Sequence, residues 1–100
     1  MTVYVDELIN YGWKLRGHIV SSCHMISDNI DLQELHDMAK KIGMKREWFQ
    51  DKPNRPHYDL TASRRAKAVE FGVQEISQRE LVLKLRERRV KIDENKSDWA

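Results

Sequence analysis

The segment "TVYVDEL" alternates: Val3 and Val5 fall on one side of an extended chain, Tyr4 and Asp6 on the other. Its β-branched and aromatic residues predict a first strand over about 2–8. "INYGWKLRGHIV" loses the alternation at Gly12 and Gly17 and is expected to be irregular. "SSCHMISD" resumes it and predicts a second strand over about 22–27, with Cys23 and Met25 on one face and Ser22, His24 and Ile26 on the other.

The period then changes. Leu32, Leu35, Ala39 and Ile42 recur at helical spacing, Asp31 and Glu34 have the spacing of a capping box, and Gly43 sits where a helix stops. "KREWFQDKPNRPHYDL" has two prolines and no sustained period, which predicts a loop with a short extended piece near Trp48–Phe49. "TASRRAKAVEFG" predicts a second helix, capped by Thr61 and stopped by Gly72, and "VQEI" a brief strand over about 73–76. In "SQRELVLKLRERR", Ser77 and Glu80 repeat the capping-box spacing ahead of a third helix whose buried stripe is Leu81, Val82 and Leu85.

Strands alternating with helices predict an α/β fold, with three helices and a small, largely parallel or mixed sheet of about three to four strands. Residues 1–91 form a single domain, and the polar tail 92–100 is expected to fray.

Composition narrows the setting. No apolar run approaches the roughly 18 residues of a membrane span, so no membrane partner is expected. The lone cysteine, Cys23, rules out an internal disulfide and suits a reducing cytoplasm. The formal net charge of +2 conceals a gradient: −2 over residues 1–44, +6 over 45–91 and −2 over 92–100. The basic half could face an anion, nucleic acid among them, or simply be a solvated helix surface.

The chemistry-bearing side chains are few. Asp6 and Asp28 each fall at the end of a predicted strand, where two carboxylates could hold a divalent cation or only turn the chain. His24 follows Cys23, but strand neighbours point to opposite faces, so His24 is expected at a cleft and Cys23 in the core. His36 interrupts an apolar helix stripe. It is expected as a core histidine, close enough to support His24 if the helix covers the first strands.

In "HYD", His57 and Asp59 share a side of an extended piece and can share a metal or form an oriented base, while Tyr58 anchors the opposite side. Arg64 and Arg65 lie in a first helical turn, where the dipole disfavours cations. They either bind an anion with the free N–H groups or turn outward to pair with acids such as Glu70. No phosphate-cradling glycine loop, nucleophile elbow, HExxH or CxxC motif is present.

"TVYVDELINYGW", "SCHMISD", "LQELHDMAKKIGMKREWFQ" and "PHYDLTASRRAKAVEFGV" together resemble a small bacterial and phage family known as domain of unknown function four-zero-three-one. The resemblance spans about residues 2–89. It implies recurrence of Asp6, His24, Asp28, His36, His57, Tyr58, Asp59 and an arginine at 64 or 65, and a phage or prophage setting. It implies no activity, cofactor or mechanism. Where the family pattern has "GA", this chain has Gly72–Val73.

Three functional expectations follow. In the first, His24, His57 and Asp59 supply acid–base or metal-ligand groups, Asp6 and Asp28 join them on a metal, His36 and Tyr58 give support, and Arg64 and Arg65 hold the anion of a phosphate-bearing ligand. A divalent metal with such ligands would be Zn²⁺, Mn²⁺ or Ni²⁺ rather than Ca²⁺, and the reaction hydrolysis of a phosphoester or nucleotide. In the second, the chain is a non-catalytic phage or prophage module that binds nucleic acid or a host protein through its basic half. In the third, the histidines and aspartates form a structural network.

Overall fold

A computed structural model describes the backbone of residues 2–15 and 17–97, and the side chains of these apart from 11–15, 18–20 and 95–97. The elements are β1 (Val3–Val5), β2 (Ile9–Leu15), β3 (His18–Ser27), α1 (Gln33–Lys41), a 3₁₀ turn (Arg46–Trp48), β4 (Tyr58–Thr61), α2 (Ala62–Glu70), β5 (Gln74–Glu75) and α3 (Gln78–Ser97). The fold is mixed α/β, with five strands rather than three or four.

The long strand β3 organises the sheet. It pairs antiparallel with β1, β2 and β4, and β1 pairs parallel with β5. Met25 lies between Val5 and Tyr58, and Ser22 between Ile9 and Thr61. β1 and β2 therefore follow one another along one edge of β3, and β4 takes the other edge. Among the described residues the sheet is mixed, with a single parallel pair.

Alternation then assigns the two faces. Val3, Val5, Cys23, Met25, Tyr58 and Leu60 point to one side and bury themselves against Leu35, Met38, Ala39 and Ile42 of the α1 region and Ala68 of α2. On the other side Tyr4 and Ile26 pack against Leu81, with Ile76 and Leu85 beside them. Two arginine bonds from α3 tie it across the sheet: Arg88 Nε donates to the Asn29 carbonyl (2.8 Å) and an Arg88 terminal nitrogen to that of Ile30 (3.1 Å).

Several local expectations change. Residues 9–15 and 18–20, expected to be irregular, are strand in the β2–β3 hairpin, and the glycines that break the pattern mark its irregularities. The register shifts between Asn10 and Trp13, around Gly12, and Gly17 lies in the turn. The Asp31/Glu34 capping box does not form. The Asp31 carboxylate accepts the Gln33 N–H (2.8 Å), while Glu34 reaches the Thr2 N–H (3.2 Å) and hydroxyl (2.7 Å) in a tertiary contact. Thr61 is at the N-cap position of α2 but makes no side-chain cap bond.

The Ser77/Glu80 box does form: Ser77 Oγ accepts the Glu80 N–H (3.1 Å) and Glu80 accepts that of Ser77 (3.5 Å). Helix α3 runs through Ser97, past the boundary expected at 91, and positions 98–100 of the tail lie outside the described residues. Among the described residues, no helix is long and apolar enough to cross a membrane.

Candidate metal centre

The face of the sheet beneath α3 carries the polar residues. Between β1 and β2 the chain leaves the ladder at Asp6, whose N–H still donates to the His24 carbonyl (3.2 Å). The return bond of that pair is made by a side chain. Asp6 Oδ1 accepts the His24 backbone N–H at 2.6 Å, and Asp6 Oδ2 accepts from His24 Nδ1 at 2.9 Å. The carboxylate is 1% exposed. Its burial is compensated because both oxygens accept hydrogen bonds.

β4 delivers the other members. The strand is prolonged backwards by the Gln50–His57 bridge, so His57 and Asp59 share a face while Tyr58 points into the core, as the alternation predicts. Asp59 stands opposite His24 in the β3–β4 register. Its Oδ1 lies 3.4 Å from His57 Nε2 and 3.9 Å from His24 Nε2. The two imidazoles meet edge to face with centroids 5.2 Å apart.

Tautomers follow from the partners. His57 Nδ1 is 2.7 Å from the Arg55 carbonyl, which can only accept, so Nδ1 carries the proton. His24 Nδ1 likewise donates to the Asp6 carboxylate. A ring with its single proton on Nδ1 carries its lone pair at Nε2, and both Nε2 atoms face Asp59. One ligand atom from each of His24, His57 and Asp59 lies within 4.8 Å of the others.

A protonated His24 and an ionised Asp59 are the forms that the contacts of these two groups favour. The hydrogen bond to Asp6 raises the His24 pKa above its ordinary value, against the opposing effect of burial. Burial pushes the Asp59 carboxyl up, but the hydrogen bond and charge of His57, with His24 and Gln50, outweigh it and hold the group below the usual value. Gln50 Nε2 donates to Asp59 Oδ2 and orients the carboxylate.

Two hollows meet at this point. One, of about 310 Å³, is polar and lined by His24, His57, Asp59, Gln50, Lys52 and Arg55. The other, also about 310 Å³, lies under α3 and adds Ile26, Gln78 and Leu81.

The sequence profile of the family described as "Protein of unknown function (DUF4031)" matches residues 3–88. The chain belongs to this family. No curated protein and no solved structure matches it. In this DUF4031 chain Asp6, His24, His57 and Asp59, together with Gln50, Lys52 and Arg55, all lie within the matched span.

The remaining candidates go elsewhere. Asp6 was expected among the metal ligands, but both its oxygens accept from His24, so it orients the His24 ring. Asp28 lies just past the end of β3, where it accepts from the Tyr4 hydroxyl (3.1 Å) and sits 3.8 Å from Lys84 Nζ. It does not join the group. His36 faces the opposite side of the sheet. Its Nδ1 bonds the Tyr58 hydroxyl (2.8 Å) and its ring packs edge-on against Phe49 (4.7 Å), so it supports the core and not His24. Tyr58 acts with it there.

Neither arginine of α2 faces the hollow. Arg64 stacks over Trp48 (5.3 Å), and Arg65 donates to the Asp6 carbonyl (2.9 Å) and to Glu75 (2.8 Å). Arg65 thus holds the turn that carries Asp6. Cys23 is buried behind the site, its thiol pushed up to about 12 by burial and the Asp6 charge, and is no ligand.

Sequence reasoning missed Gln50, Lys52 and Arg55. They sit in a stretch read as loop, where only a pairing between Gln50 and His57 would have signalled their placement.

Proposed function

We propose that this DUF4031 protein is a metal-dependent phosphoester hydrolase. The reading rests on one observation: one ring nitrogen each of His24 and His57 and a carboxylate oxygen of Asp59 converge within 4.8 Å, with His24 Nε2 3.9 Å and His57 Nε2 3.4 Å from Asp59 Oδ1. Both Nδ1–H groups are already committed, to Asp6 and to the Arg55 carbonyl. That second layer of partners is what metal-bound histidines need to fix their orientation and raise their basicity. Two imidazoles and one carboxylate suit Zn²⁺, Mn²⁺, Ni²⁺ or Fe²⁺ and leave coordination positions for ligand.

Such an ion, when bound, lowers the pKa of water and polarises a phosphoryl oxygen. The protein groups do the rest. Lys52 and Arg55, which line the polar hollow, replace Arg64 and Arg65 as the cations for the phosphate oxygens. Asp6 keeps His24 in the tautomer that presents Nε2. In the net reaction water adds to phosphorus, the bond to the ester oxygen breaks, and the water's second proton ends on the departing alcohol. A phage or prophage setting and a cytoplasmic location, expected from the sequence, are compatible with this chemistry.

The test is turnover of bis(p-nitrophenyl) phosphate by protein loaded in turn with Zn²⁺, Mn²⁺, Ni²⁺ and Fe²⁺, against His57→Ala. Metal-dependent turnover that His57→Ala abolishes supports the reading. Equal background rates in both would overturn it.

A second reading has its own observation. A further hollow places Arg55, Arg86 and Arg89 beside Asn54, Val82, Leu85 and Asp93, the last paired with Arg89, and shares Arg55 with the metal centre. A non-catalytic nucleic-acid module would use this basic surface. Its binding to a DNA duplex must weaken steeply with salt; binding that salt leaves unchanged removes it. A host-protein partner has no such observation behind it.

A further inference from the structure

The two hollows that meet at the metal centre differ in character. The polar one gathers Lys52 and Arg55 beside the three ligands. The other runs under α3, where Ile26, Leu81, Val82 and Leu85 form an apolar wall and Gln78 places an amide. Arg55, His24 and His57 line both, so a ligand can occupy the two together.

Ile26 and Leu81 are buried as the floor of the second core cluster, whereas Val82 is 47% exposed and Leu85 half-buried. An apolar wall beside two cations and a metal centre selects an amphiphilic molecule, anionic at one end. A sugar phosphate would gain nothing from four aliphatic side chains. A lipid phosphate would need a long groove and no amide.

A compact, flat body with hydrogen-bonding edges fits both the wall and the amide, which can donate and accept. The volume of about 310 Å³ lies at the lower end of small-ligand pockets, which run from about 300 to 1,000 Å³. We infer that the ligand is a nucleoside phosphate, its base under α3 against Leu81, Val82 and Leu85 with Gln78 on a base edge, and its phosphate at the metal centre between Lys52 and Arg55. This rests on the phosphoester reading above and names the substrate class of the same site.

The experiment compares binding of adenosine 5′-monophosphate and ribose 5-phosphate to the zinc-loaded full chain by calorimetry. The two share a phosphate and a sugar and differ in the base. Adenosine 5′-monophosphate is expected to bind at least about tenfold tighter. Val82→Asp, and independently Leu85→Asp, should bring the two ligands to equal affinity while zinc content and circular dichroism stay as in the parent.

Equal affinities in the zinc-loaded parent would overturn the base slot and leave the phosphoester reading standing. Tighter binding of a short single-stranded oligonucleotide, with steep salt dependence, would overturn it in favour of a strand. Failure to retain zinc would overturn the metal reading, and the slot with it.

Discussion

His24 on β3 stands opposite Asp59 on β4, and its Nε2 lies 3.9 Å from the Asp59 carboxylate. The pairing register thus brings together two residues that are distant in the chain. His57, two residues before Asp59, arrives by the strand's own period. One cross-strand pair and one i, i+2 pair are enough to assemble three ligand groups.

Metal binding should stabilise the fold. An ion that binds only the native state at 100 times its Kd adds about 2.7 kcal/mol. For a domain of this size that raises Tm by roughly 10–20 °C. Differential scanning calorimetry with Zn²⁺, followed by chelator, should show the rise and its reversal, and Asp59→Ala should show neither.

Asp6 should tune affinity without supplying a ligand. Asp6→Asn keeps the size but exchanges an acceptor for a donor, so His24 loses the partner that fixes its tautomer. Metal affinity should fall by about 10–100-fold and not vanish. Chelator competition measures this; unchanged affinity would show that the Asp6–His24 bond plays no part.

Asp28 provides the contrast. It belongs to the Tyr4–Lys84 contact, so Asp28→Asn should leave metal affinity unchanged within error. It should cost at most about 1 kcal/mol of stability in urea melts, as expected for a partly exposed hydrogen bond. A loss of metal affinity in this variant would mean that Asp28 reaches the centre after all.

The burial of His36 should make stability depend on pH. Burial, and then the Arg46 charge, lower the His36 pKa below its usual value of about 6.5. The unfolded chain therefore binds the proton more readily than the folded one. The contribution is fully present above the unfolded pKa, near 6.5, and is lost as pH falls through the lower folded value. Urea melts of chelator-treated protein should show wild type losing more stability than His36→Gln as pH drops below about 6.5. Parallel curves would contradict the assignment.

The sequence displayed these features unevenly. Val3/Val5, Cys23/Met25 and Tyr58 announced the core face because period-2 alternation is local. His57 and Asp59 were legible as a pair for the same reason. What joins them to His24 is the β3–β4 register, and β4 is four residues long, preceded by Pro53 and Pro56, so it reads as loop. The β2–β3 hairpin was hidden by its glycines. Arg64 and Arg65 looked misplaced at a helix start because their partners are remote: Trp48 for one, and for the other Glu75 and a carbonyl 59 positions away. Glu34, spaced for a cap, was taken by Thr2. Local spacing predicts caps and faces; it carries no information on which distant group competes for the same side chain.

The central claim is that His24, His57 and Asp59 form one metal site. Elemental analysis of protein loaded with Zn²⁺ and then dialysed tests it most directly, on wild type, His24→Ala, His57→Ala and Asp59→Ala. One ion per chain is expected in wild type, with loss of that ion in each variant whose circular dichroism shows it folded. A wild type that retains no metal, or folded variants that retain as much as wild type, would contradict it.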